Sequence, residues 1–184
     1  LDSSKVAEIT LENKDGTFVF VKETVKEGDT EEKKWKIVTP ADLRINESAV
    51  NSVAINFATL TADKVIEEDA ADMAKYGLDK PTVVTVKMED GTVKSLEIGS
   101  ETPSKRGYYA KEKGTTKVYS IDSYSGNKLL VDKNGLREKT LFDITSDDIV
   151  WFSMDRAGSN VFTAKKSNDS EWTMVSPIEG EVNT

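Results

Sequence analysis

The chain has 184 residues, 37% apolar and 32% charged, which suits one folded domain with a fragment attached and excludes a disordered segment. Its 33 acidic side chains against 25 basic ones leave a net charge of −8, the wrong sign for a nucleic-acid backbone or an anionic membrane surface as main partner. With no cysteine and no histidine, disulfide frameworks, thiol nucleophiles, imidazole bases and nearly every zinc, copper or iron site are excluded.

The chain opens on Leu1-Asp2-Ser3-Ser4-Lys5 without an initiator Met or a signal peptide. No run approaches the roughly 18 apolar residues of a membrane span. It reads as a trimmed piece of a longer product, with any anchor cut away upstream. Ile9 and Leu11 alternate with Thr10 and Glu12, and Lys14-Asp15-Gly16-Thr17 supplies a turn before Phe18-Val19-Phe20-Val21, a β-hairpin pattern. Lys22 to Lys34 reads as an exposed, charge-dense loop, and Trp35-Lys36-Ile37-Val38 as a third short strand ended by Pro40. From Asn46, an N-cap, the period becomes helical through Val50, Val53, Ala54, Phe57 and Leu60. Ala62 to Glu67 fits a short strand, and Asp69 to Tyr76 a second helix stopped by Gly77. Four strands follow in a meander, around Val84–Met88, Leu96–Ile98, Tyr108–Ala110 and Val118–Ile121. A last helix is expected over Ser123 to Val131, broken by Asn134-Gly135.

The end of the chain resembles its beginning. Phe152-Ser153-Met154 answers Ile9-Thr10-Leu11, Gly158 answers Gly16, Phe162 answers Phe20, and Trp172 to Pro177 answers Trp35 to Pro40 at equal spacing. Such a pattern marks a duplicated supersecondary unit. The expected organisation is a complete α+β module over residues 1–145, then the first three strands of a second, truncated copy over 146–184. The fold class is α+β, with antiparallel sheets of hairpins and meanders and two to three helices packed on one face, built as a repeated module.

Trp35-x-Ile37-x-x-Pro40, Tyr76-Gly77-Leu78-Asp79-Lys80-Pro81, Leu96-x-Ile98-Gly99, Tyr108-Tyr109-Ala110, Val118-Tyr119-x-Ile121 and Leu136-Arg137-x-Lys139-x-Leu141 stand in one order. In that order they resemble the bacterial family called domain of unknown function 4340. The resemblance implies repeated α+β modules outside the cytoplasm behind an N-terminal membrane anchor, some of them auxiliary to ABC-type or gliding-type exporters. It attaches no catalytic residue. The anchor is the one feature of the pattern that this sequence lacks.

The clusters that could carry chemistry have plainer readings. Glu67, Glu68, Asp69 and Asp72 suit a helix N-terminus better than a hard-cation site. Asp132-Lys133-Asn134-Gly135 lacks the alternating ligands of a calcium loop and reads as a turn. Paired carboxylates cannot be selected among 33 acids, and no serine has an imidazole partner or a Ser-x-x-Lys context of its class. The single glycines build no phosphate loop. Trp35 and Trp172 read as matched core plugs. Tyr108 and Tyr109 straddle the two faces of their strand, so one ring must point outward or cover a helix. Beside them Lys105-Arg106-Gly107 is the small basic patch, and Lys105, Arg106, Tyr108 and Tyr109 form the candidate interaction surface.

The expectation is therefore no enzyme, no cofactor and no metal, but an extracytoplasmic interaction or scaffold domain, an accessory of an envelope ABC-type transport system. Its partner would be a protein of the cell envelope, with no nucleic acid and with the membrane reached only through the removed anchor. The alternative is a ligand-binding module for a glycan or a peptide.

Overall fold

A computed structural model describes residues 1–28, 30–167, 171–177 and 179–181. The chain divides into two compact units, Leu1–Lys139 and Thr140–Thr184. The first is an antiparallel eight-stranded sheet with helices on one face. Its strands are β1 (Val6–Asn13), β2 (Gly16–Glu27), β3 (Thr30–Thr39), β4 (Lys64–Glu67), β5 (Thr82–Met88), β6 (Val93–Glu101), β7 (Gly107–Glu112) and β8 (Val118–Asp122), in the order β3-β2-β1-β5-β6-β7-β8-β4. The hairpin and the meander each form from neighbours in sequence. The β1–β5 pairing, with Ile9 opposite Val86 and Leu11 opposite Val84, joins them into one sheet.

Local chemistry accounts for the helices. In α1 (Glu47–Ala58) the Asn46 side chain accepts from the Ala49 N–H at 3.0 Å, satisfying one of the orphan donors of the first turn. In α2 (Ser123–Leu129) Asp122 accepts from Ser125 N–H at 3.0 Å, and that hydrogen bond holds its carboxyl below the usual aspartate range. Val50, Val53 and Ala54 of α1 and Leu129 of α2 join Ile9, Leu11, Phe18, Phe20, Val84, Val86 and Ile98 in one buried core. The observed class is thus α+β, mostly antiparallel sheet.

Three expectations are corrected. Lys22 to Lys34 is no loop: β2 and β3 continue as a ribbon to the turn at Gly28. Opposite charges face across it, with Lys26 2.9 Å from Glu31 and Lys36 3.2 Å from Glu23, so a segment with nothing to bury is still paired. The helix expected over Asp69–Tyr76 shrinks to one 3₁₀ turn, Ala74–Tyr76. Its start is held instead by the Ala70 N–H donating to the Thr116 carbonyl at 3.0 Å, and Ala70, Tyr76 and Leu78 pack with Val118 as a second small core. Asn134-Gly135 does not end a helix but lies inside α3 (Lys133–Leu136), where Asp132 accepts from the Gly135 N–H at 2.7 Å.

The second unit is a separate sheet of β9 (Trp151–Arg156), β10 (Ser159–Ser167), β11 (Glu171–Ser176) and β12 (Gly180–Glu181), in the order β12-β11-β10-β9. Three strands were expected here, and β12 adds a fourth beyond Pro177. A register shift between Asn160 and Phe162 puts Phe162 opposite Met154 and Ala164 opposite Phe152. In the first unit Phe18 faces Leu11 and Phe20 faces Ile9. In register Phe162 thus pairs as Phe18 does, and not as Phe20, the residue that the spacing from the turn glycine set against it. The peptide bonds Thr39–Pro40 and Ser176–Pro177 are both cis.

Candidate functional site

The candidate residues Lys105, Arg106, Tyr108 and Tyr109 sit at and after the turn between β6 and β7, and the sheet separates them. Lys105 is exposed in the turn with a φ of 55°, its N–H donating to the Thr102 carbonyl at 2.8 Å. Arg106 is exposed, and its carbonyl accepts from Ser123 N–H at 3.1 Å, tying the turn to the start of α2. Tyr108 lies on the helix-covered face, where its hydroxyl donates to Asn127 Oδ1 at 2.7 Å. Its ring covers Gly126 so closely that a Cβ there would stand 2.2 Å from Tyr108 Cδ2. Tyr109 lies on the opposite face, edge-on to Tyr76 with ring centroids 4.9 Å apart. Of the four, Arg106 and Tyr109 share a groove of about 480 Å³ with Lys64, Thr102, Ser104 and Ser120.

The acidic run beside that groove is not a ligand cage. Glu67 accepts from the Tyr76 hydroxyl and lies 3.7 Å from Lys75, while Glu68 pairs with Lys117 at 2.8 Å. The hydrogen bond that Lys117 donates to the Glu68 carboxylate holds its ammonium above its usual range. Asp72 accepts from Ala74 N–H at 3.0 Å. Among the described residues no three acidic side chains converge as a metal site.

Two motifs widely separated in sequence meet here as one structural device. Gly77, with φ 66°, closes the 3₁₀ turn in the left-handed conformation that favours glycine. A Cβ on it would stand 2.8 Å from Ser100 N, and a Cβ on Gly99 would stand 2.2 Å from the Tyr76 carbonyl oxygen. The loop after Tyr76 thus lies backbone against backbone on β6, where the register with β7 shifts between Ile98 and Glu101. Gly99→Ala must move the backbone, because the obstacle is a carbonyl rather than a flexible side chain. A loss of about 1–3 kcal/mol is expected, as for overpacking. Thermal unfolding of the variant checks it, and an unchanged midpoint would mean that the loop has room to lift.

A wide apolar hollow lies in the second unit, beside Trp172. It has a volume of about 860 Å³ and is lined by Ile149, Phe152, Phe162, Ala164, Trp172 and Met174. Phe152 stacks edge-on against Phe162 and Trp172 at 5.3 and 5.2 Å, yet remains 41% exposed, with Met154 at 51%. Trp172 is half-buried, whereas Trp35 is the core plug expected, at 5% exposure. No helix of this unit covers the hollow among the described residues.

A family model matches residues 35–184, from β3 of the first unit through the second unit, under the description Domain of unknown function (DUF4340). No curated protein and no solved structure matches. The match spans far more than half of the sequence and covers the turn–strand pair joined at Gly77 and Gly99. The chain belongs to the family described as Domain of unknown function (DUF4340).

Proposed function

We propose that this chain is a non-catalytic interaction or scaffold domain built by duplication, working outside the cytoplasm as an accessory part of an envelope ABC-type transport system. The observation that carries the interaction role is the 860 Å³ hollow of the second unit, lined almost wholly by apolar side chains. A surface of that kind suits contact with another apolar surface. A reaction needs converging polar groups, which this face lacks. The envelope address and the transport link rest on the family resemblance.

The duplication is supported by register. Phe18 faces Leu11 and Phe20 faces Ile9 as Phe162 faces Met154 and Ala164 faces Phe152. On the other side Phe20 faces Ile37 and Lys22 faces Trp35, as Ala164 faces Met174 and Lys166 faces Trp172. Both β2–β3 and β10–β11 shift register at the same place, just after Val19 and just after Thr163. Two unrelated meanders share an alternation. They have no reason to share both pairings and the position of a bulge.

The scaffold reading is tested by crosslinking in the source cells with the tagged full-length gene and identifying the captured proteins by mass spectrometry. Transporter subunits are expected, absent from an unrelated anchored control. Capture of cell-wall material alone would overturn the transport reading. The ligand-module alternative is favoured by the groove that holds Arg106 and Tyr109. A glycan or peptide that binds the chain and is lost with Arg106→Ala would put it first.

A further inference from the structure

We propose that the apolar face of β9–β11 is the docking site of one amphipathic helix whose stripe has the chemistry of α1: small and β-branched residues along the centre and an aromatic at one end. The inference rests on the duplication proposed above and adds to it what occupies the face of the second unit. In the first unit the face made by Ile9, Leu11, Phe18, Phe20 and Trp35 is buried, because Val50, Val53 and Ala54 of α1 join it in one core, with Phe57 packed at its border. In the second unit the residues at the same register positions are Phe152, Met154, Phe162, Ala164 and Trp172, and they line an open hollow or stand half in water.

The two faces share their register and their aromatic anchors, so the occupant can be read from the first unit. Each face has an aromatic at the Phe18 place, a tryptophan on the third strand and a long lysine paired across from it. In the first unit Lys22 Nζ lies 4.9 Å from the Trp35 ring centroid, and burial pushes that ammonium below its usual range. Lys166 stands at the equivalent place beside Trp172. A rim of this kind lets one lysine stem cover the tryptophan edge and leaves the centre for apolar groups. The centre differs at one pair: Ala164 stands where Phe20 does, and Phe152, opposite it, stands where Ile9 does, so the aromatic ring is on the neighbouring strand. A helix is a convex ridge that enters a hollow of this kind, whereas a flat sheet from a second copy would span it.

The test extends the full 184-residue chain at Thr184 with a second copy of its own residues 41–60, which contain the α1 sequence. Amide exchange is then followed by mass spectrometry. Exchange in peptides covering β9–β11 is expected to slow about tenfold or more relative to the unextended chain, with β1–β3 unchanged. The same extension with Val50→Asp and Ala54→Asp in the appended copy should give no slowing. Equal exchange in the extended and unextended chains, or equal protection by the Asp-bearing extension, overturns the proposal. So does an unextended chain that sediments as a dimer with β9–β11 already protected and reverts to monomer with Phe152→Asp, since the occupant is then a second copy. Cross-strand proton contacts between Ala164 and Met174 and between Phe162 and Met154, measured on the unextended chain, test the duplication separately. With those contacts present and no protection by the extension, the docking inference fails alone.

Discussion

Phe20→Ala is expected to destabilise the first unit by about 3–5 kcal/mol, the range of buried aromatic truncations. Phe20 is 1% exposed, sits opposite Ile9 on one side and Ile37 on the other, and belongs to the core that α1 closes. Removing its ring takes away the transfer free energy of a large apolar side chain and leaves a cavity that neighbours on two strands cannot fill without breaking register. Phe162→Ala, made at a half-buried position on a face open to water, should cost less than about 2 kcal/mol, because the transfer term there is partial and no closed cavity is left. Urea denaturation followed by amide signals of each unit separates the two effects. Equal losses for both substitutions would show that the second unit is packed as tightly as the first.

Breaking the ion pair between Glu97 and Lys111 is the other change of that size. The two residues face each other across β6 and β7, with Lys111 Nζ 2.6 Å from Glu97 Oε2 and side-chain exposures of only 9% and 14%. Lys111 also donates to the Thr115 carbonyl at 3.2 Å, so its ammonium is held from two sides. Exposed pairs such as Lys94–Glu112 or Lys36–Glu23 contribute little, since water and salt screen them. Here either single truncation leaves one charge in a site almost closed to water, and Glu97→Ala or Lys111→Ala should each cost about 3–5 kcal/mol. Glu97→Leu with Lys111→Met removes both charges and should cost far less than the sum of its single substitutions. Additive losses would mean that water reaches the pair and that it behaves as a surface contact.

How much of this was legible depended on the range of each interaction. The α1 helix was readable because Asn46, Glu47 and the stripe Val50-Val53-Ala54-Phe57 lie within a few turns of one another, and the cap that starts the helix is local. The 3₁₀ turn at Ala74–Tyr76 has similar local credentials for a helix. It stays short because distant partners, Thr116 for the Ala70 N–H and Tyr109 for the Tyr76 ring, hold its ends in another path. The ribbon over Lys22–Lys34 was invisible for a related reason. Its strands bury almost nothing, and the charges that stabilise it match only across the chain reversal.

The candidate surface shows the same division. Alternation alone put Tyr108 and Tyr109 on opposite faces. Only the sheet order decided that one ring meets α2 and the other Tyr76, and that Lys105 and Arg106 share no patch with both. By itself the sequence determined the sign of the charge, the absence of thiol and imidazole chemistry, the hairpins, the capped helix and the family. The tertiary structure decided that β1 lies beside β5, that Gly77 and Gly99 touch backbone to backbone, and that no helix of the second unit covers its apolar face among the described residues. The physical reason is that caps, turns and periodicity act over a few residues. Strand order, close backbone approach and burial are made between residues that meet only once the chain has folded.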